Sequence, residues 1–136
     1  MFGHINRTRA VLAGMQASGR GIVDVIGMAG VTRPDACICG AAGNAALDAF
    51  TKAAGKGSVG HGVRVLGLHP GATMTDRIVT LNNAITKQRF GDQSRWEELL
   101  RGARVQQPAQ VVDTLVFLAS PRAAHRCGVM LNLIPV

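Results

Sequence analysis

The chain has 136 residues, 47% of them apolar, and a formal net charge of +7. That allows one domain with a modest core and excludes a disordered chain. Its longest uncharged apolar runs, VLGL at 65–68 and TLVFLAS at 114–120, are far too short to span a bilayer. The positive charge is mostly arginine scattered from Arg7 to Arg126, with no Lys/Arg run and only five aromatic residues for base stacking, so nucleic acid is not the expected partner.

Along the chain, residues 2–16 predict a helix, with Ile5, Val11, Leu12 and Met15 on a broad apolar face and a stop at Gly19–Gly21. Residues 22–26 form a short, β-branched, nearly continuous apolar run interrupted only by Asp24, as expected of a strand covered on both faces. A loop punctuated by Gly30 and Pro34 leads to a second helix over 41–56, whose face of Ala42, Ala45, Ala46, Ala49, Phe50 and Ala53 is mostly small. A second buried strand over 63–68 ends at His69-Pro70-Gly71. Short helices are predicted over 75–83 and 95–104, and a longer one from Pro108 to Ser120 with proline at an early position. A last apolar strand covers 128–134. Alternation of this kind predicts one α/β domain, with a parallel sheet, right-handed crossovers and helices on both faces.

Residues 1–15 show no charged end followed by an apolar run, so they do not read as a signal peptide; a soluble cytoplasmic protein is the expectation. Cys37, Cys39 and Cys127 are odd in number and have no histidine at zinc-site spacing. Reduced thiols, with no metal site, are the reading they support.

The stretch 21–54 carries the most specific signal. It reads GIVDVIGMAG and, from residue 40, GAAGNAALDAFTKAA, so that Gly27 is followed by twelve residues, Gly40, three residues and Asn44. This spacing resembles that of the short-chain dehydrogenase/reductase family, whose signature is a serine, twelve residues, a tyrosine, three residues and a lysine. Three further blocks are similar to the family in the same order: TRAVLAGM at 8–15, VRVLGLHPGATMT at 63–75 and VVDTLVFLASPRAAHRCG at 111–128. Together they cover nearly the whole chain.

The resemblance implies a partial Rossmann-like, doubly wound sheet of about three strands, equivalent to the last three of the family's seven, with the first two long helices on one face. It also implies the C-terminal half of a domain without the glycine-rich cofactor loop, and a strand at 22–26 with an open edge. The implied activity is NAD- or NADP-dependent oxidation or reduction of a carbonyl or hydroxyl group on a small-molecule substrate. The family mechanism needs a titratable hydroxyl beside a fixed cation. Here Gly27, Gly40 and Asn44 hold the three catalytic positions, and the chain contains no tyrosine. Catalytic impairment is therefore expected. The wording G-x-x-G-N-A-A-L is similar to a divergent subgroup with asparagine at the lysine position; there Cys37 is a candidate acid through its thiol, or a small buried loop residue.

The loop Pro70-Gly71-Ala72-Thr73-Met74-Thr75 corresponds to the family's contact with the nicotinamide carboxamide. Pro70, Gly71, Thr73 and Thr75 are the implied cofactor contacts, with Thr75 alternatively capping the next helix through its hydroxyl. His69 stands at the mouth of that loop and reads as structural. The segment around Trp96 corresponds to the family's variable substrate lid, or anchors its helix to the core. The family's dimers pack equivalents of helices 2–16 and 41–56, which makes a homo-oligomer by that route the expected assembly and a non-catalytic interaction module the alternative function.

Overall fold

The computed structural model describes residues 1–27 and 38–133. The elements run α1 (Phe2–Ala17), β1 (Gly21–Ile26), α2 (Ile38–Ser58), β2 (Val63–Pro70), α3 (Asp76–Phe90), α4 (Pro108–Ala119) and β3 (Val129–Leu133), with 3₁₀ turns at Val59–His61, Gln93–Leu100 and Pro121–Ala123. The three strands are parallel in the order β1-β2-β3. The α/β class and the partial Rossmann-like sheet expected from the sequence are what the chain forms.

β2 is the buried centre of this sheet. Val63, Val65, Leu66 and Leu68 are all fully buried, because β2 has a paired strand on each side and a helix on each face. The period-2 alternation of a strand divides its side chains between two cores. On one face Val65 packs with Val25 of β1 and Leu47 of α2, flanked by Val23, Phe50 and Ala54. On the other, Leu66 and Leu68 pack with Leu118 of α4 and Ala123, flanked by Ile22, Val111, Leu115, Val129, Leu131 and Leu133. Met15 of α1 lies over Gly21, on the α2 side, so the first two long helices do share a face.

This arrangement corrects the expected handedness. Two successive parallel crossovers that advance in the same direction share a hand only if their helices lie on the same face. Here α2 and α4 lie on opposite faces, so one of the two crossovers departs from the right-handed rule. The β2–β3 connection is long, passing through α3 and a 3₁₀ segment before α4, and it reaches the second face by that route.

Boundaries shift for local reasons. α2 runs on to Ser58 through Gly55 and Gly57. Gly55 has a packing reason to be glycine, since a Cβ there would run into the backbone of Gly128. α3 extends to Phe90 and ends on Gly91 at φ 73°, a left-handed C-terminal stop. The helix expected over 95–104 is instead a 3₁₀ segment at Gln93–Leu100, started by Asp92, whose carboxylate accepts the Ser94 N–H at 2.9 Å. Repeated i→i+3 closure suits a stretch hemmed between the Gly91 stop and the Gly102 turn. The strand expected over 128–134 is Val129–Leu133, residue 134 lying outside the described residues.

α4 begins with Pro108, and the Gln110 side chain accepts the Gln107 N–H at 2.7 Å. Its C-terminus is held by Arg64 of β2. Nη1 donates to the carbonyls of Leu118 at 2.7 Å and Ala123 at 2.9 Å, and Nη2 to those of Ala119 and Ser120 at 3.2 Å each. One guanidinium thus satisfies the orphan carbonyls of the last helical turn and places a cation at the negative end of the helix. Among the described residues, no helix is long and apolar enough to cross a membrane.

Candidate functional site

The positions singled out by the family spacing converge at the C-terminal ends of β1 and β2. Gly27 leaves β1 with its N–H donating to the Leu68 carbonyl at 2.9 Å. Asn44 lies on α2 one turn beyond Gly40, so the two share a helix face. His69, next to last in β2 and 6% exposed, comes in from the adjacent strand. The three side-chain environments meet at one point. A Cβ built on Gly27 would lie 3.1 Å from His69 Cε1, 3.2 Å from His69 Nδ1 and 3.2 Å from Asn44 Oδ1.

The structure therefore brings together Gly27, Asn44 and His69, with Gly40 half-buried one turn away along α2. The sequence placed His69 near the loop but gave it no contact with position 27. That contact follows from parallel register, which pairs Ile26 with Leu68 and so puts Gly27 beside His69. Cys37, the candidate thiol, lies outside the described residues. Cys39 is exposed at the start of α2. Among the described residues no group of three or more His, Cys, Asp and Glu could hold a metal ion.

The loop after β2 is pinned by Gln106, a residue the sequence did not single out. The Gln106 main chain accepts the Met74 N–H and donates to the Ala72 carbonyl, each at 2.9 Å, while its Nε2 donates to Thr73 Oγ1 at 3.1 Å. Thr73 Oγ1 in turn donates to the Gly71 carbonyl at 3.0 Å, and the Gly71 N–H donates to the Leu133 carbonyl at 2.8 Å. Gln106 is 5% exposed, so burial fixes the latch. Nothing in the local spacing could have revealed it, because its partners are more than thirty residues away.

This latch decides what the loop can offer a ligand. The N–H groups of Gly71 and Met74, the Ala72 carbonyl and the Thr73 hydroxyl are committed within the protein. Thr75 stands at the N-cap of α3 but makes no capping bond through its side chain, against the capping alternative, and it is exposed. The residues fit a nicotinamide group only in part: Thr75 presents a hydroxyl, and Asn44 a neutral amide where a ribose-holding cation is required.

The segment Gln93–Leu100 is tied together internally. Arg95 donates bidentately to Glu98, at 2.9 and 2.8 Å, and its guanidinium stacks 4.3 Å above the Phe90 ring. The hydrogen bond from Arg95 holds the Glu98 carboxyl below its usual range. An open concavity of about 420 Å³ beside this pair is lined by Ser94 and Arg101 and is separate from the Gly27 cluster. Trp96 is half-buried.

A second polar group interrupts the apolar pattern of β1. Asp24 is half-buried, and its Oδ1 is shielded from solvent without a hydrogen-bond partner. Burial pushes its carboxyl above the ordinary value of 3.8, opposed only in part by the charge of Arg64.

The short chain dehydrogenase profile matches residues 1–86, more than half of the chain, which belongs to that family. Among solved structures, L-sorbose reductase from Gluconobacter frateurii, crystallised with NADPH and L-sorbose, superposes with a TM-score of 0.85 at 21% identity, over 98% of this chain and 53% of the reductase. An oxidoreductase of the short chain dehydrogenase/reductase family from Burkholderia thailandensis is 26% identical, with a TM-score of 0.71 over 95% of this chain and 49% of that one. A 3-oxoacyl-[acyl-carrier protein] reductase with bound NAD from Brucella melitensis gives 0.74 at 23% identity, over 98% and 47%. The chain thus spans about half the length of the structures it matches. A comparison with curated protein sequences finds no match.

Proposed function

We propose that this chain corresponds to the C-terminal half of a short-chain dehydrogenase Rossmann domain, and that its residues do not run the family's proton transfer. Its nominal class is NAD(P)-dependent oxidoreductase of a carbonyl or hydroxyl substrate, and its compartment the cytoplasm. The space around Gly27 carries this reading. Where the family has its serine, a side chain would have to push His69 and Asn44 aside by a few tenths of an ångström. Catalysis also requires an acid of matched pKa within hydrogen-bond reach of the substrate, and Gly40 offers no side chain.

The cofactor, NAD or NADP, would supply hydride chemistry. Pro70, Gly71, Thr73 and Thr75 form the loop that would meet its nicotinamide end, with Thr75 Oγ1 as the available hydroxyl. The test is calorimetric titration with NADH and NADPH alongside turnover of a panel of ketones and secondary alcohols. Weak cofactor binding and no turnover are expected. Turnover of about 1 s⁻¹ or more, within the ordinary enzyme range, would overturn the reading.

The second reading is a non-catalytic dimerisation module using helices 2–16 and 41–56. Ala42, Ala45, Ala49 and Ala53 lie exposed along α2, and α1 buries only Thr8 while leaving Phe2 and Val11 exposed. Sedimentation of an Ala45→Arg/Ala49→Arg variant tests it, with a monomer expected if those helices pair.

A further inference from the structure

Beyond β2 the chain passes through Thr73, and it comes back beside that residue at Gln106, where the two form a single parallel bridge. Main-chain bonds flank the bridge, from the Gln106 N–H to the Ala72 carbonyl and from the Met74 N–H to the Gln106 carbonyl, at 2.9 Å each. The Gln106 side chain adds one more, from Nε2 to Thr73 Oγ1 at 3.1 Å. Residues 74–105 are therefore an excursion whose two ends are pinned together, and the entropy of closing that loop is borne at this bridge.

The contents of the excursion bind mainly to one another. α3 packs chiefly on the 3₁₀ segment Gln93–Leu100, and among the described residues neither apolar core takes a side chain from 74–105. The two buried residues of α3, Asn82 and Thr86, are polar. Thr86 Oγ1 donates to the Asn82 carbonyl at 2.9 Å, whereas Asn82 Nδ2 is shielded from solvent with no acceptor. A buried donor left unpaired weakens the element that holds it. Few buried apolar contacts and a narrow attachment mark a segment that opens below the free energy of global unfolding. Gly102, at φ 76° and with nothing within 4 Å of a Cβ built on it, gives the returning chain a pivot.

We propose that residues 74–105 open from the sheet as one unit, and that the Gln106 side chain is the pin that holds this unit shut. Opening releases groups that the closed form commits, namely the Ala72 carbonyl, the Met74 N–H and the acceptor side of the Thr73 hydroxyl. The Gly71 N–H, bonded to the Leu133 carbonyl of β3, stays with the sheet in both forms. A ligand that needs any of the released groups meets only the open fraction of molecules, and its apparent affinity is lowered by that fraction. The pin is autoinhibitory in this sense, and it acts whether or not the chain takes a nicotinamide cofactor.

Native-state hydrogen exchange of the full chain, followed by NMR at low urea with no ligand added, tests this. The amides of Met74, Gln106 and α3 from Thr80 to Phe90 should show one common opening, with protection at least about ten-fold below that of the buried amides of β2. Gln106→Met keeps the volume and the main-chain bridge but loses the Nε2 bond. It should lower protection of this group about three- to ten-fold, the loss of one hydrogen bond, and leave β2 unchanged. Thr73→Val, which removes the acceptor, should do the same, and Thr73→Ser, which keeps it, should match the wild type. The proposal is overturned if α3 exchanges with the protection of β2, if Gln106→Met leaves the group unmoved, or if either variant lowers β2 as much as α3. A Thr73→Ser chain as open as Thr73→Val would overturn it as well.

Discussion

Removing the Arg64 side chain should cost more stability than any other single surface-connected change. Its guanidinium makes four donor contacts, to the carbonyls of Leu118, Ala119 and Ser120 at the end of α4 and of Ala123 in the turn beyond, two of them at 2.9 Å or less. A hydrogen bond to a charged group contributes about 1.5–3 kcal/mol, and an unsatisfied part-buried acceptor costs about 1–3 kcal/mol. A cation at a helix C-terminus adds about 0.3–1 kcal/mol. The contacts share one side chain and do not sum, and water would recover the more exposed bond to Ala119. Arg64→Ala is therefore expected to lose about 2–4 kcal/mol, near 10 °C in Tm for a chain of this size. Arg64→Lys, whose ammonium cannot span the forked set of carbonyls, should lose about half as much. Urea unfolding followed by circular dichroism, with m held constant, measures both. A loss below about 0.5 kcal/mol for Arg64→Ala, the scale of an ordinary surface substitution, would refute the view that this residue ties α4 to the sheet.

Gly55→Ala should destabilise by about 1–3 kcal/mol, since the backbone of Gly128 cannot make room and the gain in helix propensity is only ~1 kcal/mol. Gly57→Ala, which meets nothing within 4 Å, should instead be neutral or stabilising by up to ~1 kcal/mol; thermal melts of the pair separate packing from propensity. Gly27→Ser should lower stability by about 1–2 kcal/mol by crowding His69 and Asn44, and should confer no turnover in a cofactor-coupled absorbance assay. Asp24→Asn should stabilise the monomer at neutral pH. The folded carboxyl sits above its unfolded value of 3.8, so the native state holds the extra proton and the wild type loses stability as pH rises through that window. The advantage of Asp24→Asn in urea titrations of dilute monomer should thus be smallest below pH 3.8, grow as pH rises through the folded value, and then level off.

What the sequence made legible was whatever depends on local pattern. The apolar runs at 22–26 and 63–68, the alanine-rich helix and the proline start of α4 all appear where periodicity and end signals put them. The spacing from Gly27 to Asn44 also identified the family. Contacts between distant segments stayed hidden. Gln106 reads as an ordinary loop residue until the Thr73 segment folds against it, and Arg64 as one more scattered charge until α4 ends above it. Handedness was missed for the same reason, since which face receives α4 depends on where Leu115 and Leu118 find apolar partners, and the alternation of elements does not encode that. The 3₁₀ form of Gln93–Leu100 escaped because a short polar segment has the same composition in either helix.

β2 makes the interior two rooms with one shared wall. Leu47 and Leu118 each belong to a core of their own, and β2, with β1 beside it, stands between them and sends alternate residues into each. A cavity opened beneath α2 should relax within its own room, because the ladder bonds of β2 to β1 and β3 hold the wall in place. Energetic effects of substitutions in opposite rooms should then add, as for independent sites, whereas pairs within one room should couple. The chain would thus accept sequence change on its two sides almost separately, and Val65 and Leu66, adjacent in the wall, are where that separation is decided.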